Sequence, residues 1–374
     1  MKVAIVHYWW LTNRGGEAVV TALIELYPDA DLFVHVCDES LVRATLGEAF
    51  KGQIFTSFIS RLPGAKKHYQ KYLPLMPLAL EQLDLSSYDL VFSSESGPAK
   101  GVITRPDAYH ICYCHSPMRY LWDMYHEYLE RSGRLVRWLF PLFAHWLRVW
   151  DQASANRVDL FVANSTFIAS RIRKFYRRES EVIFPPVDTN DFSADRQRRD
   201  FYLYLGQLVP YKRPDLAVEA FSRLGLPLVI IGEGEMFKEL SRNAPPNIKF
   251  LGRQPFAVVK DHLEQCKALI FPGVEDFGIV PVEAMAAGAP VIAYGRGGVT
   301  DTVINGETGL LFNDQSAEGI IESVRRLEQE SSSFGHGKIR EHALSFDKSV
   351  FKESIANLVL SLELTSEQST PQDH

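Results

Sequence analysis

Short apolar runs recur along this chain, bounded by glycine, proline or polar residues. Such runs are typical of strands in a parallel sheet, which is buried on both faces. They predict strands at Lys2–Tyr8, Asp31–Val36, Asp89–Ser93, His110–Cys114, Leu160–Ala163, Glu181–Phe184, Phe201–Gly206, Pro227–Gly232, Ile248–Gly252, Ala268–Phe271 and Pro290–Tyr294. Helical patterns lie between several of them. Strands that alternate with helices predict an α/β protein with doubly wound parallel sheets.

The alternation stops near the middle of the chain and then begins again, which predicts two domains. Phe184–Pro186 and the polar stretch Asp188–Asp200 have the composition of a linker. A length of 374 residues also favours two domains over one. We predict domains at 1–187 and 188–347, a final helix at 348–364, and a polar, disordered tail at 365–374.

The stretch Phe271–Gly288, FPGVEDFGIVPVEAMAAG, holds the most informative chemistry of the second domain. An apolar strand leads into a glycine-containing loop and then a short helix. Pro281 is placed at the first helical position, which suits its fixed φ and missing N–H. Gly288 is placed where the helix ends.

Two carboxylates accompany this helix. Glu275 is predicted in the loop before it, and Glu283 in its first turn. The free N–H groups of a helix N-terminus favour anions. A diphosphate could bind there while both carboxylates accept hydrogen bonds from sugar hydroxyls. The alternative is that Glu283 only complements the helix dipole and that Glu275 is solvated.

The segment EDFGIVPVEAMAAGAPVIA resembles the donor-site motif of retaining GT-B glycosyltransferases of family 4, and the resemblance extends over nearly the whole chain. It implies the GT-B architecture, in which two Rossmann-like domains face each other across a cleft. The first domain would bind the acceptor, and the second would bind the nucleotide-sugar donor. The final helix would pack back on the first domain. GT-B enzymes resemble each other in needing no bound metal, so we expect neither a metal nor a cofactor.

The resemblance also implies roles for individual residues. Catalytic roles fall on His115, Glu275 and Lys212. Substrate-binding roles fall on Gly15, Gly16, Gln207, Arg213, Gly252, Arg253, Phe277, Gly278, Ile279, Val280 and Glu283. His115, in the sequence CHSP, would lie over the donor sugar, and the Gly15-Gly16 loop near the donor phosphates and the acceptor. Taken alone, a histidine at a strand end or a glycine pair is usually structural.

One position departs from the family pattern. Family members usually have an arginine after the glycine that ends the first strand of the second domain, and here Gln207 follows Gly206. Lys212 matches the lysine that, with that arginine, clamps the donor diphosphate. Arg213 could supply the missing charge; otherwise the site would be weaker. A solvated helix start is the alternative for Lys212 and Arg213.

Further glycine-rich loops follow predicted strands at Gly232–Glu235, Gly252-Arg253 and Gly295–Gly298. Open α/β sheets bind ligands beyond the carboxyl ends of their strands. Each loop alone is weak evidence, whereas their shared position favours a ligand edge. Asp29-Ala30-Asp31 has the D-x-D form of a metal–diphosphate motif, but we place it in a turn before a strand at the far edge of the sheet.

The composition excludes several classes of protein. A net charge of −6 argues against a general nucleic-acid binder. Four cysteines without C-x-x-C spacing exclude a disulfide scaffold. His110, Cys112 and Cys114 would share one face of a strand, which suggests a metal site, but a buried strand that tolerates cysteine explains them better. The N-terminus lacks a signal-peptide pattern and no apolar run could span a bilayer, so we predict a cytoplasmic protein.

Two basic stretches bear on membrane contact. One runs from Lys66 into an apolar, proline-containing segment, and the other, Arg131–Trp150, combines arginines with aromatic residues. This composition suits peripheral contact at the inner face of the cell membrane, and a buried amphipathic helix is the alternative. The basic helix Thr166–Arg178 is predicted to present its cations to solvent.

By resemblance to mannosyltransferases of bacterial O-antigen assembly, which extends through MRYLWDMYHEYL, the chain would transfer mannose from GDP-mannose to a lipid-linked saccharide. One alternative is a family 4 transferase that uses another nucleotide sugar, such as UDP-glucose or UDP-GlcNAc. Another is a catalytically silent sugar-nucleotide-binding scaffold, for which Gln207 is the main support. An epimerase or phosphorylase would share the fold, but the residue patterns that each requires are not seen.

Overall fold

The computed structural model describes residues 1–13, 15–330 and 334–368, which form two compact units. The first unit contains Met1–Pro185 together with Phe351 and the described residues after it. The second unit contains Pro186–Val350. Each unit has one parallel sheet with helices between its strands.

The first sheet has seven strands: β1 (Val3–His7), β2 (Asp31–Val34), β3 (Ile54–Thr56), β4 (Leu90–Glu95), β5 (Tyr109–Cys114), β6 (Leu160–Ala163) and β7 (Glu181–Val182). Its helices are α1 (Gly15–Leu26), α2 (Glu39–Leu46), α3 (Ala65–His68), α4 (Met76–Glu81), α5 (Tyr125–Arg131), α6 (Arg134–Ala155) and α7 (Thr166–Tyr176). The strand order is β3-β2-β1-β4-β5-β6-β7. The chain therefore reverses its direction across the sheet between β1 and β4, a switch point of the kind where open sheets bind ligands.

The second sheet has six strands: β8 (Tyr202–Leu205), β9 (Leu228–Ile231), β10 (Ile248–Gly252), β11 (Leu269–Phe271), β12 (Val291–Tyr294) and β13 (Gly309–Phe312). Its helices are α8 (Pro214–Leu224), α9 (Phe237–Asn243), α10 (Phe256–Gln265), α11 (Ile279–Ala286), α12 (Val299–Thr302), α13 (Ala317–Gln329) and α14 (His336–Ala343). The order β10-β9-β8-β11-β12-β13 places the switch point between β8 and β11.

The last helix, α15 (Lys348–Gln368), contributes to the core of the first unit. Phe351, Ile355 and Val359 recur at helical spacing and are buried with Ile5 of β1 and Phe92 of β4. The helix includes residues 365–368 of the segment that we predicted to be disordered. Residues 369–374 of that predicted tail lie outside the described residues.

The predicted strands are all present, with ends within two residues of the prediction. Strands β3 and β13 were not predicted. Strand β3 has only three residues, and two of them are exposed at the edge of the sheet, so it lacks the apolar run that identifies a buried strand.

Two other expectations change. Asp31 was placed before a strand at the far edge, but β2 lies one strand inside it. Its carboxylate accepts hydrogen bonds from Gln53 N and Tyr88 Oη, both at 2.7 Å, which is a structural role. The predicted linker also packs into the second unit, where Ser193 N donates to Glu264 Oε1 at 2.9 Å.

Candidate active site

Two loops of the second unit meet at the switch point between β8 and β11. Residues 206–213 follow β8, and residues 272–278 follow β11. Glycine is required at position 273, because a Cβ there would lie only 2.6 Å from the Cα of Lys212. The strand order and this close approach bring together side chains that are far apart in the sequence.

Lys212 and Glu275, both predicted as catalytic, form an ion pair across these loops. Lys212 Nζ lies 2.8 Å from Glu275 Oε1, and both side chains are largely buried. A lysine ammonium has three donors, and a carboxylate can accept several hydrogen bonds. The pair therefore offers positive charge and hydrogen-bond acceptors at one point of the carboxyl edge.

The other residues of the first loop are arranged differently. Gln207 is exposed. Arg213 has a left-handed backbone, with φ of 53°. Its guanidinium binds Asp215, with Nη2 2.8 Å from Oδ2, and this hydrogen bond raises the pKa of Arg213. Arg213 is thus paired within its own helix start, so its charge is not directed at a ligand in this arrangement.

Helix α11 begins earlier than the sequence suggested. Gly278, with φ of 91°, precedes its first residue, Ile279. Pro281 is therefore the third helical residue rather than the first, and Glu283 lies in the second turn rather than the first. Proline is still accommodated, because the N–H groups of a first turn have no partner within the helix. Gly288 follows the helix end with φ of 75°, as predicted.

Glu283 is partly buried and has no side-chain hydrogen bond or ion pair with another described residue. Burial, with smaller contributions from the negative charges of Asp188 and Asp191, raises its pKa to about 7. A buried carboxylate without a partner is unfavourable unless a ligand supplies donors. The position therefore suits an acceptor of hydrogen bonds from a hydroxylated ligand.

The glycine-rich loops at this edge of the sheet need glycine because they pack closely against other backbone. A Cβ at Gly234 would lie 2.3 Å from Leu208 O, and one at Gly298 would lie 2.3 Å from Asp276 O. Phe277 is buried, so its side chain packs in the interior. Only its backbone could face a ligand. Gly252 ends the edge strand β10, and its carbonyl accepts from Gly232 N at 2.9 Å.

Three other predicted residues lie along these segments. Arg253 is exposed just after β10. Ile279 and Val280 begin α11 and are only partly buried. Their backbone N–H groups belong to the free first turn of the helix.

His115 follows β5 at the carboxyl edge of the first sheet. Its Nε2 lies 2.8 Å from Ser94 Oγ. Burial, with a smaller contribution from His7, lowers the pKa of His115 to about 3, so the ring is neutral at physiological pH. Its carbonyl accepts from Asn164 Nδ2 at 3.1 Å. The ring can therefore exchange hydrogen bonds with a ligand but carries no positive charge.

Arg171 supports the segment that follows His115. It was predicted on a solvated face of α7, but it is buried. Its guanidinium donates to Ser116 Oγ at 2.6 Å and to the Pro117 carbonyl at 3.2 Å, and it pairs with Asp123 at 2.5 Å. The sequence of a basic helix does not reveal this role, because the role depends on contact with the segment that follows β5.

Gly15 and Gly16 are the first residues of α1 rather than a loop before it. A Cβ at Gly16 would lie 2.5 Å from Tyr8 Oη, so the tip of the Tyr8 side chain would have to move to admit a larger residue there. Among the described residues, no group of three or more His, Cys, Asp or Glu side chains is arranged to hold a metal ion. Cys112 and Cys114 are buried in β5, and burial raises the pKa of both thiols.

The first sheet also contains functional candidates that the sequence analysis missed. His7 ends β1, and its Nδ1 lies 3.0 Å from the hydroxyl of Ser94 on β4. Both side chains are fully buried at the switch point. The strand order could have indicated them, because polar residues at the carboxyl ends of β1 and β4 must lie side by side.

The chain matches two protein families. Residues 13–191 match Glycosyltransferase Family 4, and residues 188–343 match Glycosyl transferases group 1. The chain belongs to the family 4 glycosyltransferases.

Several proteins are similar to this family 4 member. An uncharacterized glycosyltransferase of Methanocaldococcus jannaschii is 28% identical over 212 residues, which cover 54% of this chain and 60% of that protein. Alpha-1,3/1,6-mannosyltransferase alg-2 of Neurospora crassa is 26% identical over 80% of this chain and 74% of that protein. O-antigen chain mannosyltransferase C of Escherichia coli is 25% identical over 64% of this chain and 68% of that protein. The chain thus spans less than two thirds of the Methanocaldococcus protein.

Solved structures share the fold. HepE of Anabaena, in complex with UDP, superposes with a TM-score of 0.70 at 16% identity and covers 96% of this chain and 100% of its own. Sucrose-phosphate synthase of Thermosynechococcus elongatus has the same TM-score and identity, and the match covers 98% of this chain and 100% of the synthase. At such identity the likeness establishes the fold alone, two Rossmann-like α/β units of the GT-B type.

Proposed function

We propose that this family 4 member is a retaining mannosyltransferase, which transfers a mannosyl unit from GDP-mannose to a lipid-linked saccharide in cell-surface polysaccharide synthesis of the O-antigen type. The observation that carries the proposal is the Lys212–Glu275 pair beside the N-terminus of α11. It combines positive charge for a diphosphate with acceptors for sugar hydroxyls. The similarity to two mannosyltransferases supports the choice of sugar.

The proposed reaction assigns one task to each group. The bond between the sugar C1 and the diphosphate breaks, and the acceptor oxygen forms a new bond to C1 on the same face. Lys212 and the N–H groups of residues 278–280 stabilise the charge of the departing GDP. The departing phosphate takes the proton of the acceptor hydroxyl. Glu283 accepts hydrogen bonds from the ribose, and Glu275 from the sugar. These groups supply the positive charge that the diphosphate needs, so we expect no metal requirement.

A membrane-bound acceptor is supported by α6 in the first unit. One face of this helix is buried, through Ala144 and Leu147, so the helix is not wholly solvated. The opposite face presents Trp138 and Leu142, with 74% and 72% of each residue exposed. Exposed apolar residues one helical turn apart suit peripheral contact with a bilayer. None of the described helices is long and apolar enough to cross a membrane.

A thermal-shift panel tests the donor. The purified protein is mixed with GDP-mannose, GDP-fucose, UDP-glucose or UDP-GlcNAc, because a ligand that binds the folded state raises the Tm. We expect GDP-mannose to give the largest shift and Lys212→Ala or Glu283→Ala to remove it. If a UDP-sugar gives the largest shift, the mannosyl assignment is wrong and the site assignment stands. Release of GDP in the presence of a lipid-linked saccharide then tests transfer itself.

A silent scaffold is the second candidate, since Gln207 is exposed and Arg213 is paired with Asp215. A donor site short of one positive charge would bind diphosphates weakly. We expect Gln207→Arg to strengthen donor binding about tenfold, the value of one charge-assisted hydrogen bond. A wild-type protein whose Tm rises only slightly with any nucleotide sugar and that releases no GDP, with a Gln207→Arg variant whose Tm rises more, would favour the scaffold.

A further inference from the structure

A chain of buried polar side chains leads to His115 at the switch point of the first sheet. The hydroxyl of Ser94 lies 3.0 Å from His7 Nδ1 and 2.8 Å from His115 Nε2. It therefore joins the two imidazole rings. On the far side of His7, Glu17 of α1 places Oε1 3.9 Å from His7 Nε2. Strands β1 and β4, helix α1 and the loop after β5 each contribute one residue to this series of side chains.

The serine hydroxyl couples the tautomers of the two rings. It has one proton, so it donates to one ring nitrogen and accepts from the other. If Ser94 donates to His7 Nδ1, it must accept from an N–H at His115 Nε2. If it donates to His115 Nε2, His7 must carry its proton on Nδ1. The surroundings of the other ring nitrogen of His7, Nε2, determine which of the two arrangements is favoured.

The surroundings of His7 favour the first arrangement. Its Nε2 is buried and has no hydrogen-bond partner among the described residues. For the neutral ring, the negative carboxylate of Glu17 favours a proton on the nitrogen that faces it. Nδ1 is then left to accept from Ser94.

We propose that Glu17, His7 and Ser94 are positioning residues that hold His115 as the Nε2–H tautomer, so that its Nδ1 accepts a hydrogen bond from a substrate hydroxyl. His115 Nδ1 makes no hydrogen bond with another described residue, so it is the ring nitrogen left for a ligand. The low pKa of His115 fits a ring that remains neutral and can accept. The substrate part of this inference rests on the proposed function.

Nitrogen-15 NMR of the full chain labelled at histidine tests the tautomer without a substrate. Signals of His115 are assigned by their loss in His115→Gln. We expect the proton on Nε2 in the wild type and a mixture of tautomers in Ser94→Ala and Glu17→Gln. A proton on Nδ1 in the wild type overturns the proposal. An unchanged tautomer in Glu17→Gln removes Glu17 from it.

Kinetics with whichever nucleotide sugar is turned over test the consequence. We expect Ser94→Ala to lower kcat/KM about tenfold, the value of one hydrogen bond. Ser93→Ala is a matched control, because Ser93 is buried on the same strand and its hydroxyl lies 2.8 Å from His110 Nε2. The control should lower the Tm to a similar extent and leave kcat/KM unchanged. Equal losses of kcat/KM in both variants contradict the proposal. If the donor assignment fails, the NMR result is unaffected.

Discussion

Among single residues, Glu283 shows a conflict between stability and binding. Burial, with Asp188 and Asp191, raises its pKa from an ordinary 4.5 to about 7. The folded protein therefore holds a proton between these pH values that the unfolded chain has already lost. Stability from this group is fully present below about pH 4.5 and is lost as the pH rises to about 7.

Replacing Glu283 by glutamine should therefore stabilise the protein at alkaline pH. The shift corresponds to roughly 3 kcal/mol of unfolding free energy. We expect Glu283→Gln to be more stable than the wild type by up to this amount at pH 8 and by much less at pH 5. Urea unfolding at both pH values measures the difference.

The control for this prediction is Glu307→Gln, because Glu307 is exposed in the loop before β13. It should show no pH-dependent gain. If Glu283→Gln increases the free energy of unfolding equally at pH 5 and pH 8, the pKa of Glu283 is not raised in the folded protein. The same variant should bind the donor less well, since an amide replaces a carboxylate that accepts from hydroxyls.

Single site residues could be placed from the sequence only as far as local signals reached. Lys212 and Glu275 each stand in a family motif, and the structure brings them within 2.8 Å. Glu283 was placed one turn too early, because the left-handed Gly278 starts the helix at Ile279. The Ser94–His7 contact joins residues that are 87 positions apart, and no local pattern predicts such a pair.

At the scale of elements, a buried ion network joins β4 to α6. Lys100 Nζ lies 2.8 Å from Glu95 Oε1 and also binds Asp151, and all three side chains are fully buried. Burial lowers the pKa of Lys100, but the two carboxylates outweigh it and the net shift is upward. Trp122 Nε1 donates to Asp151 at 2.8 Å. The network thereby fixes the strand end next to Ser94.

Removing the cation should destabilise the first unit strongly. Lys100→Met leaves two carboxylates buried without their partner, which costs about 3–5 kcal/mol. Chemical unfolding of the variant measures the loss. Arg173→Met is the control, because the Arg173–Glu179 pair is exposed to solvent and its loss should be within experimental error. The triple variant Lys100→Met, Glu95→Gln, Asp151→Asn should recover part of the loss, and a triple variant no better than the single one contradicts this account.

Strand–helix alternation predicted the elements well for a physical reason. Strands of a doubly wound sheet are buried on both faces and so appear as apolar runs. The glycine-rich loops were interpreted as ligand loops, and their geometry shows that packing of loop on loop requires glycine. A sequence cannot separate these two causes, because both need the backbone to approach another group closely.

At the scale of the whole molecule, the sequence left two accounts of α6 open, burial or membrane contact. The structure shows one buried and one exposed face. The exposed face extends to Val149, 57% exposed, and the exposed cations Arg134 and Arg137 lie near the start of the helix. Apolar side chains next to arginines match the chemistry of an anionic bilayer surface. Only tertiary packing decides which face of such a helix is covered.

Binding to lipid vesicles tests whether the exposed face of α6 contacts a membrane. We expect the protein to sediment with vesicles that contain phosphatidylglycerol, and less with pure phosphatidylcholine. Trp138→Glu should weaken this binding about tenfold or more, because it removes a large apolar group and adds a repulsive charge. Leu360→Glu is the matched control, since Leu360 is 55% exposed on α15. Raised salt should weaken binding by screening the arginines. If both variants bind like the wild type, α6 is not the contact surface, and the acceptor must reach the protein by another face.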